Sequence, residues 1–206
     1  MKLAFAQINP TVGNLDGNTQ KIIAEIGKAR AGRADLVVFP ELSITGYPPE
    51  DLLLKPQFIE DNLACLQEII KASRGLAVYL GFVDKIDRCL FNAGAFIENG
   101  RLKNTYHKIN LPNYAVFDEK RYFEPGNKPM MVSWQDKKLG LSICEDLWVD
   151  AEPWHTLAQG QPEMILNINA SPYHHGKIKD REKLLMERAK KAQAEIVYLN
   201  MVGGQD

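Results

Sequence analysis

The sequence predicts a single α/β domain in which helices are layered on a mixed β-sheet. Strand-like and helix-like segments alternate along most of the chain, and 206 residues suffice for one domain with a substantial core. Asn99-Gly100, between two strand-like segments, is a strong signal for a two-residue hairpin turn. Antiparallel strands should therefore accompany the βα units, and we expect one domain over residues 1–206.

Strands are predicted where short apolar or alternating runs are bounded by turn residues. They are residues 2–8, 35–39, 76–83, 90–98, 101–107, 131–134, 138–143, 164–168 and 196–201. Helices are predicted where apolar residues recur every three or four positions. They are residues 17–30, 57–73, 151–159 and 177–194. Residues 110–126 show no clear period and contain two prolines, which indicates a long, ordered loop of the kind that usually carries function.

The composition argues against several classes of protein. With 45% hydrophobic and 25% charged residues, it is typical of an ordinary globular protein. The net charge of -1 gives no general attraction to phosphate backbones or anionic membranes, so we expect neither nucleic acid nor a membrane as a partner. The apolar run near Met1 is too short for a signal peptide, and three cysteines do not suit a disulfide framework. A cytoplasmic location is therefore expected.

Three chemically capable side chains come at or closely after the ends of predicted strands. Glu41, Lys108 and Cys144 follow the second, fifth and seventh of these strands. Strand ends are where sheet enzymes place their working groups. Each residue has an ordinary alternative: Cys144 as a small buried side chain, Glu41 as a surface turn residue and Lys108 as an exposed lysine. Together they could converge on one rim of the sheet.

Such a trio suffices for the hydrolysis of an amide. A glutamate beside a thiol can take its proton and later give it to the departing nitrogen. A lysine ammonium stabilises the thiolate and then the negative oxygen of the tetrahedral intermediate. Water attacks the resulting thioester, with the same glutamate as base. The sequence thus predicts a cysteine-dependent amide hydrolase with Cys144 as nucleophile and Glu41 and Lys108 as its acid–base partners.

The segments around these residues resemble the three catalytic blocks of the nitrilase, or carbon–nitrogen hydrolase, superfamily. They read VFPEL at 38–42, HKINLP at 107–112 and SICEDLW at 142–148, in the order found in that family. The resemblance implies a nitrilase-like α-β-β-α sandwich with the catalytic groups at a sheet edge, and association into homo-oligomers. The chain stops soon after its last predicted strand, at Gly203-Gly204-Gln205-Asp206, so we expect a fold truncated at the C-terminal end.

A narrower similarity is to the glutaminase domain of glutamine-dependent NAD synthetases. It is carried by GYPPEDLL at 46–53, LPNYAVFDEKRYF at 111–123, CEDLW at 144–148 and NASPY at 169–173. In that family the domain hydrolyses L-glutamine and sends the ammonia to a synthetase domain. The resemblance assigns the binding of glutamine to Tyr114, Ser171 and Lys177, and places Phe117 and Glu119 in or beside the same pocket.

These pocket residues also have plainer interpretations. Ser171 and the proline after it could form only a turn, and Lys177 could be only an exposed residue at the start of a helix. Glu119 stands beside two basic residues and could belong to a solvated run of charges. Cys65 and Cys89 are interpreted as buried, unreactive side chains.

The resemblance implies no cofactor and no metal for the glutaminase reaction. ATP and magnesium are implied only for the synthetase domain, which is absent from this chain. The sequence has no phosphate-binding loop of the Gly-x-x-x-x-Gly-Lys type. His174-His175 has no further ligand at a suitable spacing, so paired surface histidines are the simpler interpretation.

Three hypotheses for the function follow. The first is a glutamine amidohydrolase domain that supplies ammonia for ATP-dependent NAD synthesis from nicotinic acid adenine dinucleotide. The second is a free-standing amidase of the same superfamily that acts on another small amide. The third is a catalytically silent fragment that serves only in assembly. Residues 114–123 and Lys177 favour the first, and the intact Glu, Lys and Cys set argues against the third.

Overall fold

The computed structural model describes residues 1–203, and its elements follow the predicted order. Its strands are β1 (Leu3–Phe5), β2 (Leu36–Val38), β3 (Ala77–Ile86), β4 (Cys89–Glu98), β5 (Arg101–His107), β6 (Met130–Trp134), β7 (Lys137–Ile143), β8 (Met164–Asn169) and β9 (Glu195–Asn200). Its α-helices are α1 (Leu15–Ala31), α2 (Pro56–Ala72), α3 (Trp154–Gln159) and α4 (Lys177–Ala192). The expected truncation of the fold rested on the C-terminal segment 203–206. Residues 204–206 of that segment lie outside the described residues.

Three short 3₁₀-helices were not predicted. They are Glu50–Leu54, Glu119–Arg121 and Cys144–Leu147. One turn of helix is too short to show an apolar period, so the sequence pattern carries no signal for it. The second interrupts the long loop predicted at 110–126, and the third begins at the predicted nucleophile. Both lie where the candidate site residues are.

The longer helices begin and end as their sequences indicate. Asn14 precedes α1, and its Oδ1 accepts a hydrogen bond from the backbone N–H of Gly17 at 3.0 Å, which satisfies one unpaired donor of the first turn. Pro56 opens α2, a position where the missing N–H costs nothing. Both helices bury one face, and Ile22 and Ile26 of α1 are fully buried.

The strands form two mixed sheets, whereas residue patterns alone predicted one. The first sheet has the order β1-β2-β3-β4-β5, with β1 to β3 parallel and β4 and β5 antiparallel. The second has the order β6-β7-β8-β9, with β6 antiparallel to β7 and the others parallel. Periodicity reports which face of a strand is buried but not which strand lies beside it. The pattern therefore could not separate the two sheets.

Tight turns connect the antiparallel strands. Asn99 and Gly100 have φ values of 48° and 75°, the left-handed conformation that matches the twist of a hairpin, so this predicted turn is confirmed. Gln135 and Asp136 join β6 to β7 with φ values of 47° and 60°. Both turns fix the register of their strands, with Glu98 opposite Arg101 in the first hairpin.

Helices cover the outer face of each sheet, and the inner faces pack on each other. Side chains from α1, α2 and the first sheet form one cluster, which includes Ile26, Ile69 and Val78. A second cluster joins the inner faces of the two sheets, and a third packs α3 and α4 on the second sheet. The α-β-β-α sandwich implied by the resemblance is confirmed.

One edge of the sandwich collects the residues that follow β2, β5, β7, β8 and β9. The Glu41 segment lies directly on β3, because Gly81 donates its N–H to Pro40 O at 3.1 Å and accepts from Ser43 N at 2.9 Å. A Cβ atom at Gly81 would lie 2.2 Å from the backbone nitrogen of Leu42. Only glycine permits this close approach, so β3 helps to place Glu41 at the edge.

Candidate active site

The three predicted catalytic residues are buried at the same edge of the sandwich. Glu41 and Lys108 are each 1% exposed, and Cys144 is 4% exposed. The surface alternatives for Glu41 and Lys108 are therefore wrong. Charged side chains are almost never buried unless they are paired. Their burial thus requires partners inside the site.

Lys108 is the centre of a buried ionic cluster. Its Nζ donates to Glu41 Oε1 and to Glu119 Oε1, both at 2.7 Å. Glu119 is 5% exposed, so the alternative of a solvated charge run is wrong. Burial lowers the pKa of Lys108, but the two carboxylates outweigh it and the pKa is raised overall. Lys108 therefore stays charged, and two of its three ammonium protons are assigned to these carboxylates.

Donors surround the Glu41 carboxylate on three sides. Oε1 accepts from Lys108 and from Asn92 Nδ2, each at 2.7 Å, and Oε2 accepts from the backbone N–H of Ala170 at 2.9 Å. Two carboxylate oxygens offer about four lone-pair positions. One position, on Oε2, is thus without a protein donor among the described residues. It can receive a proton from a neighbouring group.

Glu119 differs from Glu41 in its environment. Burial raises the pKa of Glu119 to about 7; the charge of Lys108 opposes this shift and that of Glu41 adds to it. The hydroxyl of Tyr47 donates to Glu119 Oε1 at 2.9 Å, and Asn92 Nδ2 lies 3.4 Å from Oε2. Glu119 therefore shares the lysine and holds or releases a proton near neutral pH.

We expect Glu119→Gln to flatten the pH dependence of stability. A carboxyl whose pKa rises on folding contributes stability that is present below its unfolded pKa, near 4.5, and is lost as pH rises through about 7. Between pH 5 and 8 the free energy of unfolding of the wild type should fall by roughly 2 kcal/mol relative to that of the variant. Urea unfolding at several pH values measures this difference. Parallel curves for the two proteins would contradict it.

Cys144 occupies a sharp turn between β7 and the 3₁₀-helix Cys144–Leu147. Its φ is 44°, in the left-handed region that non-glycine residues rarely adopt. Strained residues of this kind cluster at active sites, where the surrounding structure holds them in place. The turn projects the side chain at the end of the strand, as in the strand-to-helix elbows that carry catalytic nucleophiles.

The Cys144 thiol shares its electrostatic environment with the ionic cluster. Burial raises the pKa of the thiol well above its usual value, the charge of Glu41 raises it further, and Lys108 lowers it. The expected stabilisation of the thiolate by Lys108 is present but is outweighed. The resting residue is thus a neutral thiol, and a base must take its proton when it reacts.

Tyr114 and Phe117 lie in the long loop, in edge-to-face contact. Their ring centroids are 5.5 Å apart, and Phe117 in turn lies 6.5 Å from the ring of Tyr47. Tyr114 is 56% exposed, and its hydroxyl lies 3.0 Å from both carboxylate oxygens of Glu145. The rings of Tyr114, Phe117 and Tyr47 thus form a continuous row of contacts from the surface inward. The Tyr47 hydroxyl at its inner end contacts Glu119 of the buried cluster.

Ser171 and Phe117 line a cavity of about 560 Å³, a volume suited to a small ligand. Tyr47 and Ala170, which contact Glu119 and Glu41, line the same cavity, so it adjoins the ionic cluster. The Arg181 guanidinium donates to Ser171 Oγ at 3.1 Å. Because Oγ accepts this bond, its own proton remains available to a ligand.

Lys177 lies apart from that cavity. Its Nζ lies 4.1 Å from the centroid of the Trp148 ring, a cation–π contact just beyond the 3₁₀-helix that begins at Cys144. The predicted helix start at Lys177 is confirmed. The structure thus brings Glu41, Lys108, Glu119 and Cys144 together, places Phe117 and Ser171 on the adjoining cavity, and leaves Tyr114 and Lys177 outside that cavity.

Asn92 and Tyr47 are site residues to which no role was assigned from the sequence. Asn92 is fully buried and bonds to both carboxylates, and its backbone oxygen accepts from Lys108 N at 2.9 Å. An asparagine inside the apolar run of β4 was a usable signal, because buried amides need partners. Tyr47 lies in the GYPPEDLL motif at 46–53, but its contact with Glu119 joins residues that are 72 positions apart in the sequence. The spacing of the motifs does not predict such a contact.

The other cysteines and histidines form no second site. Cys65 is buried as predicted, but Cys89 is exposed because it opens β4 at the end of a hairpin, so its predicted burial was wrong. His174 and His175 are exposed. Within residues 1–203, no group of three or more potential ligands could hold a metal ion, and no helix is long and apolar enough to cross a membrane.

Comparisons with known proteins identify the family of this chain. The family model described as carbon-nitrogen hydrolase matches residues 2–206. The glutamine-dependent NAD(+) synthetase of Thermotoga maritima is 43% identical over 209 residues, which cover 100% of this chain and 36% of that protein. The solved glutamine-dependent NAD+ synthetase of Acinetobacter baumannii is 40% identical with a TM-score of 0.94, and the match covers 99% of this chain and 39% of the other.

A more distant solved structure shares the fold alone. It is an amidase of the nitrilase superfamily from Nesterenkonia, with 24% identity and a TM-score of 0.85 over 99% of this chain and 77% of that chain. This chain spans 36% and 39% of the two synthetases it matches. Because the family model covers nearly every residue, the chain belongs to the carbon–nitrogen hydrolase family.

Proposed function

We propose that this chain hydrolyses L-glutamine to glutamate and ammonia through a thioester at Cys144. The observation that carries this proposal is the buried contact of Lys108 with Glu41 and Glu119 beside a cysteine held in a strained turn. Such a cluster costs stability to bury, so its retention suits a catalytic role. The choice of glutamine is supported by the similarity of this chain to proteins known as glutamine-dependent NAD synthetases.

In the first half of the reaction, Glu41 acts as base and then as acid. The free lone-pair position on its Oε2 takes the thiol proton of Cys144 as the sulfur bonds to the amide carbon. The third proton of Lys108 stabilises the oxygen that becomes negative. Protonated Glu41 then gives its proton to the amide nitrogen, the carbon–nitrogen bond breaks, and ammonia leaves.

In the second half, water replaces ammonia at the same position. Glu41 takes a proton from the water as the water oxygen attacks the thioester carbon. The intermediate collapses with breakage of the carbon–sulfur bond, and the sulfur recovers its proton from Glu41. Glutamate leaves, and Cys144 returns to the neutral thiol. Glu119 serves as a second carboxylate that holds Lys108 in place throughout.

The cavity beside the cluster supplies the contacts with the substrate. Phe117 packs against the aliphatic part of glutamine, and the free Ser171 proton bonds to one of its polar groups. Tyr114 and Lys177 lie outside that cavity, but they contact Glu145 and Trp148, which are close to Cys144 in the chain. There they bind the charged end of glutamine, with the lysine as a point charge for the carboxylate. These roles for Tyr114, Phe117, Glu119, Ser171 and Lys177 are part of the proposal.

The ammonia is proposed to supply a synthetase domain. Residues 1–206 would then be one glutaminase domain of a longer, cytoplasmic and homo-oligomeric enzyme that forms NAD. ATP and magnesium would bind to the synthetase domain and supply activation of the acid that receives ammonia. None of the residues described here is assigned to hold either of them.

The first test is the release of ammonia and glutamate from L-glutamine, with asparagine and simple amides alongside. Release from glutamine alone would support the proposal. Preference for another amide would contradict it and favour a free-standing amidase. If nothing is hydrolysed, labelling of Cys144 with a glutamine-mimicking electrophile distinguishes a site that needs its partner domain from a silent fragment. Failure of that labelling would also contradict the proposal.

A further inference from the structure

Asp146 is a buried carboxylate that takes no part in the steps above. It lies two residues after the nucleophile, in the 3₁₀-helix Cys144–Leu147, and is fully buried. Its Oδ1 accepts from the backbone N–H groups of Ile109 at 3.2 Å and Asn110 at 2.9 Å, and from Asn110 Nδ2 at 3.2 Å. One oxygen atom of Asp146 therefore binds the chain directly after Lys108.

The other oxygen binds both sheets. Oδ2 accepts from the Tyr106 hydroxyl at 2.7 Å and from the backbone N–H of Ile143 at 3.1 Å. Tyr106 lies in β5, two residues before Lys108, whereas Ile143 ends β7 and directly precedes Cys144. The five donors thus flank the lysine on both sides and include the residue before the nucleophile.

We propose that Asp146 is a positioning residue that fixes the lysine segment of the first sheet against the cysteine turn of the second. It touches no reacting atom, and it acts through Lys108 and Cys144. Only the kinetic part of its test depends on the proposed hydrolysis of glutamine. Because a displacement of about 1 Å can cost roughly 100-fold in rate, a single clamp between the two segments matters for catalysis.

The charge state of Asp146 fits this role. Burial raises its pKa to about 6, against the hydrogen bonds from the Asn110 backbone and Tyr106, which lower it. Near neutral pH the ionised carboxylate offers only acceptors to donors on every side. A protonated carboxyl, or an amide, would instead place its own N–H or O–H against those donors and push the two segments apart.

Asp146→Asn is the direct test, because the amide keeps the shape of the side chain. We expect kcat for glutamine to fall by roughly 10- to 100-fold while KM changes little, since the cavity contacts remain. Circular dichroism and gel filtration establish that the variant is folded. The matched control is Asp150→Asn, four residues further along, whose side chain is 67% exposed and pairs with Arg188. It should retain the wild-type kcat.

A second measurement does not depend on any substrate. The pH dependence of alkylation of Cys144 by iodoacetamide, followed on its own peptide, reports the ionisation of the thiol. Lys108 lowers the pKa of this thiol, so displacement of the lysine should move the alkylation midpoint of Asp146→Asn to higher pH. A purely structural role would leave the midpoint unchanged. If the wild type hydrolyses no amide and the glutamine-mimicking electrophile does not label Cys144, the proposed function fails, whereas this midpoint still tests Asp146.

Tyr106→Phe covers the case in which Asp146→Asn does not fold. It removes one donor and keeps the carboxylate, so kcat should fall by only a few-fold, with a smaller shift of the midpoint in the same direction. Wild-type kcat and an unchanged midpoint in folded Asp146→Asn would overturn the positioning role. If that variant is unfolded, the same two results in Tyr106→Phe would overturn it.

Discussion

Cys144→Ala should abolish the hydrolysis of glutamine and leave the fold intact. The substitution removes the only atom that forms the covalent intermediate, so a loss on the order of 10⁴-fold or more in kcat is expected. Alanine carries the same Cβ atom as cysteine, so the left-handed turn at this position is no more strained than before. Initial rates of ammonia release measure the loss, and urea unfolding measures the stability.

The other two cysteines provide matched controls. Cys65 lies on the buried face of α2, in the cluster that packs α1 and α2 on the first sheet. Cys65→Ala should therefore lower the free energy of unfolding by about 1 kcal/mol and keep the wild-type rate. Cys89 is exposed, so Cys89→Ala should change neither quantity measurably. Appreciable turnover in Cys144→Ala, or a comparable loss of rate in either control, would exclude Cys144 as the nucleophile.

Lys108→Met should be the most destabilising substitution in the site. It leaves the carboxylates of Glu41 and Glu119 buried without a cation, and the loss of one partner from a buried ion pair typically costs about 3–5 kcal/mol. The charge of Lys108 lowers the pKa of Glu119, so without the lysine this pKa should rise further on folding, and the loss of stability relative to the wild type should be smallest at acidic pH and should grow as pH increases. Urea unfolding at pH 5 and pH 8 measures both effects.

A lysine on the strand that directly precedes Lys108 is the control for this variant. Lys103 of β5 forms a surface pair with Glu98 at 3.5 Å and is 47% exposed, so Lys103→Met should change stability by no more than about 0.5 kcal/mol. Equal stabilities of the two variants at pH 8 would mean that Lys108 does not offset the cost of burying the charged carboxylates of Glu41 and Glu119. Hydrolysis by Lys108→Met at the wild-type rate would exclude it from the proposed mechanism.

Much of the site could be predicted because its residues come where strands end. Apolar runs located β2 and β7 within a few residues, and the Asn99-Gly100 hairpin signal located β5. The carboxyl ends of strands that share a direction meet at one edge. Glu41, Lys108 and Cys144 could therefore be grouped from the sequence alone. The motif resemblance added Glu119, whose burial no local pattern indicates.

The remainder depends on contacts between segments that are distant in the sequence. Asn92 reaches Glu41 across 51 residues, and Asp146 reaches Asn110 across 36. Nothing in the neighbourhood of either residue specifies its partner. Residue patterns alone missed the exposure of Cys89 and the separation into two sheets for the same reason, because strand pairing is decided by tertiary packing rather than by local periodicity. The two-sheet sandwich came from the family resemblance.

The two sheets are also two consecutive stretches of the polypeptide. The first sheet ends at His107 and the second begins at Met130, with the long loop between them. Glu41 and Lys108 thus belong to one half of the chain and Cys144 to the other. Neither half can assemble the acid, the cation and the thiol by itself. The proposed hydrolysis therefore requires both halves to be packed together. Fragments produced separately would regain it only if their inner sheet faces bound to each other.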